Sequence, residues 1–315
     1  MRILVLGAGG VGGCFGGRFA EGGADVTFLV RPRRRAQLDE NGIVVRSGYG
    51  GDFAVPVTTI ASDEITAPYD VVLLSCKAYD LDDAMTAIAP AMGPDSVALP
   101  LLNGLQHVER LQERFGENNV WGGTCYIGAA LDSATGEIRH FGDFQRIVFG
   151  ELDGKPSARA EAFAALNETV GCDIEFSADI VQNMWDKFAM LSALATANII
   201  TRSVIGEILE APSGEAFLLA ALAECRDTAA ALGHPVTAST LEAYNGMFTK
   251  RGSAFAASML RDVEAGRPTE GEHVIGDMVR RAAAQGIETP MLHCALAAIE
   301  TYEAKRRSEV GSAAA

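Results

Sequence analysis

Apolar residues follow two different regimes along the 315-residue chain. In the first third, short continuous apolar runs recur: RILVLG (2–7), DVTFLV (25–30), DVVLLSC (70–76) and SVALPLL (96–102). Runs of this length without polar alternation fit strands covered on both faces. Between them, residues 11–22, 80–92 and 105–115 carry helix-like spacing, and strands alternating with helices predict a parallel sheet with right-handed crossovers. Residues 120–151 change character, with NNVWGGTCYIGAAL, GEIRHFG and RIVFGE reading as short strands and SATGE as a hairpin connection. A helix over 157–170 and a strand over 172–177 complete this part.

From about residue 180 the period becomes helical almost without interruption. Helices are predicted near 180–198, 204–211, 214–232, 237–247, 253–264, 270–285 and 290–306. The breaks fall at Pro212, Gly233-His234-Pro235, Gly252, Gly266-Arg267-Pro268 and between Gly286 and Pro290. The predicted fold class is therefore α/β, with an N-terminal domain over 1–178, an all-α C-terminal domain over 179–308, and a disordered tail over 309–315.

Composition narrows the class. With 48% hydrophobic and 21% charged residues, the chain has material for globular cores. A formal charge of −15 argues against nucleic acid, which requires a basic face, so an anionic ligand must find a local basic patch. Six scattered cysteines without a Cys-x-x-Cys pair read as reduced structural thiols, not a disulfide framework or a metal site. The start turns glycine-rich after six residues, too early for a signal peptide. No run approaches the ~20 apolar residues of a membrane span, so a cytoplasmic protein is expected.

The first loop carries chemistry. Gly7, Gly9 and Gly12 have G-x-G-x-x-G spacing between a predicted strand and a predicted helix. That context marks a Rossmann-type dinucleotide site: Gly7 permits the tight turn, Gly9 the approach of pyrophosphate, and Gly12 tight helix–strand packing, with Gly10 beside them. The helix N-terminus supplies backbone donors to the phosphates. Where an NAD-selective site usually places a carboxylate, the second strand ends in LVRPRRRAQ. Arg31, Arg33, Arg34 and Arg35 suit a 2′-phosphate, which selects NADPH/NADP+, with Arg31 at the strand end as the first contact. The alternative is a solvated charged loop.

Ligands of open α/β sheets bind outside the carboxyl ends of the strands. Lys77 and Asn103 stand there, after VVLLSC and VALPLL. Each has a plainer reading, Asn103 as a helix N-cap and Lys77 as a surface lysine. Lys187 heads the uncharged stretch from Phe188 to Asn198. It is either a snorkelling lysine whose stem covers apolar surface or a partly desolvated proton donor. Downstream, Ser258 and Asp262 are four residues apart on a predicted helix, and Glu270 opens the next one, where a carboxylate also complements the helix dipole.

These segments together resemble the ketopantoate reductase (2-dehydropantoate 2-reductase) family. The resemblance rests on RILVLGAGGVGG, CKAYD, LLNGLQHVE, WDK ending at Lys187, IGEI (205–208) and SMLRDVEAGRPTEGEHVIG (258–276), in order along most of the chain. It implies an NADPH-dependent reductase of 2-oxo acids with a Rossmann domain and a helical domain. Lys187 would then be the general acid and Glu270 its partner. Asn103 and Ser258 would bind substrate, and Lys77 would lie near nicotinamide and substrate. The family pattern places asparagines four and eight residues after the catalytic lysine, where this chain has Leu191 and Ala195. Ser192, Thr196 and Asn198 are polar neighbours. A different, more apolar carbonyl substrate and a non-catalytic NADP(H) sensor are the alternatives. The long helices of the second domain suit a homodimer.

Overall fold

The apolar runs of the first third become neighbouring parallel strands. The computed structural model describes residues 1–313, in two units, Met1–Met184 and the residues from Trp185 onward. The first unit runs β1 (Arg2–Leu6), α1 (Gly10–Glu21), β2 (Asp25–Leu29), α2 (Pro32–Asn41), β3 (Ile43–Ser47), β4 (Phe53–Val55) and β5 (Thr58–Ile60). It continues with β6 (Val71–Leu74), α3 (Leu81–Ile88), β7 (Val97–Pro100), α4 (Gln106–Phe115), β8 (Trp121–Leu131), β9 (Ile138–Glu151), α5 (Ala158–Ala164) and β10 (Asp173–Phe176).

Two sheets result. The first has the order β5-β2-β1-β6-β7, parallel throughout. In the second, β9 lies parallel to β3 and β10 and antiparallel to β8, and β3 pairs antiparallel with β4. The expected SATGE hairpin joins β8 to β9, and GEIRHFG and RIVFGE fuse into the one strand β9. The strands β3, β4 and β5 were not anticipated: β4 and β5 have three residues each, and in β3 only Ile43, Val44 and Val45 are apolar.

Helix α1 lies between the sheets, and its glycines face both. A Cβ on Gly16 would stand 2.6 Å from the Phe28 ring of β2 and 3.0 Å from Val5 of β1. On the opposite flank, a Cβ on Gly17 would stand 2.8 Å from Ile43 of β3, one on Gly13 would collide with Ile138 of β9, and one on Gly10 would come within 2.7 Å of the Ala129 carbonyl of β8. The buried Arg18 donates to the Tyr49 and Gly51 carbonyls at 3.0 and 2.8 Å and lies over the Phe53 ring, which fastens the β3–β4 turn to α1. Burial pushes the Cys14 and Cys172 thiols up to about 12, so both are packing groups and not nucleophiles.

Helix α6 (Ile180–Thr201) begins in the first unit and continues into the second. It is followed by α7 (Ile205–Ile208), α8 (Gly214–Ala231), α9 (Ala238–Phe248), α10 (Ser258–Glu264), a π-helical turn over Glu272–Gly276, α11 (Asp277–Ala284) and α12 (Pro290–Ala313). Residues 192–199 of α6 are all buried, as in a helix that is surrounded by its own unit's core. The N-terminus of α12 is held by Glu224 of α8, whose carboxylate accepts from the Met291 and Leu292 amides at 2.9 and 3.0 Å. No helix among the described residues is long and apolar enough to cross a membrane.

Two expectations need correction. The helix predicted over 253–264 starts only at Ser258. The preceding backbone is engaged elsewhere: the Ser253 and Phe255 carbonyls accept from the Gly206 and Ile205 amides at 2.8 and 3.1 Å. The disordered tail expected from 309 is helical through Ala313. Residues 314–315 of that expectation lie outside the described residues.

The glycines of the two units should respond oppositely to a methyl group. Gly16→Ala should destabilise the protein by ~1–2 kcal/mol, because overpacking against Phe28 outweighs the gain in helix propensity. Gly246→Ala, in exposed α9 with nothing within 4 Å of the new Cβ, should stabilise it by ~0.5–1 kcal/mol. Urea unfolding of the two variants measures both.

Candidate active site

In the first unit, the turn from β1 into α1 is shaped for an anion. Gly7 has a φ of 87° and donates to the Leu29 carbonyl at 3.0 Å. A Cβ on Gly12 would collide with Ser75 Oγ and the Gly7 carbonyl, so this glycine keeps helix and strand in contact. Gly9 differs: a Cβ there would meet nothing within 4 Å, which leaves space beside the backbone. Gly9 is also the N-cap of α1, with no side-chain capping bond and no acidic residue in the first turn. The terminal amides therefore keep their donors for a ligand, and no carboxylate opposes a phosphate there. Glycine, open space and uncapped amides fit a dinucleotide pyrophosphate.

The arginine run is not a loose loop; it forms the first turn of α2, with Arg31 as N-cap and Pro32 at the first helical position. Three of its arginines are engaged within the protein. Arg33 donates to the Ser133 carbonyl at 3.0 Å, and Arg35 pairs with Glu64 at 2.8 Å. Arg34 reaches the Ala8 carbonyl in the glycine loop and the Gly136 carbonyl in the β8–β9 turn, both at 2.9 Å. Burial lowers the Arg34 pKa, and its Nη2 is buried without a partner, so Arg34 braces the loop and is not open to a ligand. Arg31 is 79% exposed and has only a long 3.8 Å contact to Asp80. Of the four, it is the least engaged within the protein.

Lys77 precedes a 3-10 turn at Ala78–Asp80, three residues past the end of β6, and is partly exposed. Asn103 follows β7, also partly exposed. Its reading as a helix N-cap does not hold: α4 begins at Gln106 with Leu105 as its N-cap, so the Asn103 amide is not used to cap the helix. Gly7, Gly9, Gly10, Gly12, Arg31, Lys77 and Asn103 thus share the first unit, at the carboxyl ends of its parallel strands or the helix start that follows.

Lys187, Ser258 and Glu270 share the second unit. Lys187 lies in α6, partly exposed between the buried Asp186 and Phe188. Glu270 is buried, 7% exposed, directly before the helical segment that opens with the π turn. Ser258 is the first residue of α10. Asn198, named at first only as a polar neighbour, has a definite structural task. Its Nδ2 donates to the Ser203 carbonyl at 2.7 Å, and its Oδ1 accepts from the Ala257 amide at 2.8 Å. This buried amide closes the end of α6 and fixes the residue before Ser258. No spacing rule could have shown it, because the bond spans 59 residues. The Ser192 and Thr196 hydroxyls are fully buried and have no partner among the described residues. Of the two departures from the expected pattern, Leu191 is partly exposed and Ala195 fully buried.

The chain matches known proteins along most of its length. Residues 3–154 match the family model described as ketopantoate reductase PanE/ApbA, and residues 179–303 match its C-terminal counterpart. The chain is 34% identical to YkpB of Bacillus subtilis, an uncharacterized oxidoreductase, over 97% of this chain and 100% of that one. It is 28% identical to a 2-dehydropantoate 2-reductase of Halobacterium salinarum, over 93% of this chain and 95% of that one. Among solved structures, the 2-dehydropantoate 2-reductase of Methylococcus capsulatus superposes with a TM-score of 0.85 at 27% identity, covering 97% of this chain and 98% of that one.

Arg31→Ala should weaken NADPH binding at least ~10-fold and leave NADH nearly unchanged, since only the 2′-phosphate loses a partner. Arg34→Ala should instead weaken both dinucleotides alike, because it loosens the loop under the phosphates they share. Fluorescence titration with each cofactor separates the two roles.

Proposed function

We propose, because this chain belongs to the ketopantoate reductase family, that it reduces a small 2-oxo acid with NADPH, the default pair being 2-dehydropantoate and pantoate. The broader class is plain: an oxidoreductase acting on C=O/CH–OH with a nicotinamide dinucleotide. The observation that carries the reading is the start of α1, where Gly9 opens onto free space and the terminal amides lack a cap.

When bound, NADPH supplies a hydride to the 2-oxo carbon. Gly7, Gly9, Gly10 and Gly12 would hold its pyrophosphate, and Arg31 its 2′-phosphate. In the same reading Asn103 and Ser258 would donate to substrate oxygens, and Lys77 would serve nicotinamide and substrate. Lys187 gives a proton from Nζ to the oxygen on which negative charge develops, which stabilises the transition state more than the ground state. The Glu270 carboxylate would orient the Lys187 ammonium. After turnover Lys187 must recover a proton, and its partial exposure leaves it a route to water. A homodimer is part of the same reading, and sedimentation velocity measures it.

Leu191 supports a second reading of the substrate. An amide at that position would pair a substrate oxygen, whereas a partly exposed leucine favours an apolar carbon, so a 2-oxo acid with a more apolar chain competes with 2-dehydropantoate.

Lys187→Ala should lower kcat by ~10²–10⁴ with NADPH affinity retained, and an unchanged kcat removes the lysine from the mechanism. A panel of 2-oxo acids ranked by kcat/KM decides the substrate. Leu191→Asn should raise the value for 2-dehydropantoate relative to apolar 2-oxo acids; the opposite change rejects the second reading. Tight NADPH binding without turnover of any member indicates a sensor.

A further inference from the structure

We propose that one face of α12 positions Glu270, with Glu303 as the positioning residue that holds the connection leading into it. The inference rests on the assignment of Lys187 and Glu270 as proton donor and partner. Residues 265–269 cross from α10 to the π turn without regular structure, and Glu270 follows at once. Such a segment has no internal ladder; Glu270 itself is tied forward, its carbonyl accepting from the Val274 amide at 3.0 Å, and the approach to it is held from elsewhere.

The hold comes from side chains spaced i, i+3 and i+4 along α12, which lie on one face of the helix. Glu303 Oε1 accepts from the Thr269 amide at 2.7 Å and from the Thr269 hydroxyl at 3.0 Å. The Tyr302 hydroxyl donates to the Arg267 carbonyl at 2.8 Å. Ile299 packs so closely on Gly271 that a Cβ there would collide with it. The residues on both sides of Glu270 are thus fixed by α12.

The anchor is itself anchored. Arg306 Nε donates to the second Glu303 oxygen at 3.0 Å. Burial raises the Glu303 pKa, but the Thr269 amide, the Arg306 guanidinium and the Thr269 hydroxyl outweigh it and leave it below the ordinary range. Glu303 is therefore charged at neutral pH, and its bonds to Thr269 are charge-assisted. From the other side, Arg267 donates through Nε to Asp262 Oδ1 at 3.0 Å and through its amide to the Asp262 carbonyl at 2.8 Å. Arg202, over the Tyr302 ring, is the remaining charge on this face. With α12 held at its start by Glu224, the chain of support runs from α8 through α12 to the carboxylate.

The test is kcat and KM with NADPH and the 2-oxo acid turned over best, in wild type, Glu303→Ala, Glu303→Gln, Tyr302→Phe and Glu270→Ala, each checked for folding by circular dichroism. Glu270→Ala should lower kcat by ~10², since the lysine loses the carboxylate that orients it. Glu303→Ala should lower kcat roughly tenfold, with KM for NADPH changed less than about twofold. Glu303→Gln keeps an acceptor for Thr269 and should restore most of the rate. Tyr302→Phe should give a smaller loss, about threefold. A folded Glu303→Ala with wild-type kcat, beside an impaired Glu270→Ala, overturns the positioning role alone. So does a folded Glu303→Gln as slow as Glu303→Ala. If Glu303→Ala does not fold, a Tyr302→Phe with wild-type kcat overturns it. A Glu270→Ala with wild-type kcat overturns the assignment of Glu270, and the positioning role falls with it.

Discussion

Helix α1 lies between two sheets, and both can approach it because its flanks carry hydrogen where most helices carry side chains. Gly12 and Gly16 admit the parallel sheet, and Gly10, Gly13 and Gly17 admit the second one. Glycine lowers the intrinsic stability of a helix by ~1 kcal/mol per residue. That cost is offset by the burial of Phe15, Phe19 and the facing Val5, Phe28 and Ile43, all without exposed surface. The turn that opens this helix is consequently pinned from two directions, with Arg34 as a third brace from α2. A phosphate arriving there meets amides that have little freedom left to lose.

The second unit uses buried and half-buried polar groups for the same end. Asn198, Glu224 and Glu303 each satisfy two groups, at least one of them on a segment far away in sequence. Any one of them replaced by an apolar residue would orphan buried or half-buried backbone groups. Apolar packing alone would allow the helices to slide against one another. These bonds set where a helix begins or where a connection ends.

Much of this was legible in the sequence. Continuous apolar runs announced the parallel sheet, the glycine spacing announced its first turn, and the helical period of the second half located most of its helices within a few residues. The place of Arg31 after β2 was readable because an apolar run ends there. What escaped notice shares a cause. The strands β3 to β5 carry at most three apolar residues in a row, and the start of α10 is set by backbone pairing with α7. The tasks of Asn198 and Glu303 depend on partners 59 and 34 residues away, and spacing along the chain carries no trace of them. Gly13, Gly16 and Gly17 were visible as letters, but the sheet they admit was not.

The π turn over Glu272–Gly276 has an evolutionary meaning as well as a geometric one. A π turn holds one residue more than the α-helix would, so every position beyond it is rotated by about 100° relative to an unbroken helix. Here it lets Gly271 face Ile299 while Met278 and Ala282 still face the core. Loss of a single residue at this point would restore a regular helix and keep its hydrogen bonds, yet it would turn either the core face or the Glu270 end away from its neighbours. A lineage can therefore shorten this helix only by giving up one of the two registers, which makes the segment a place where insertions and deletions are selected against although the backbone alone would accept them.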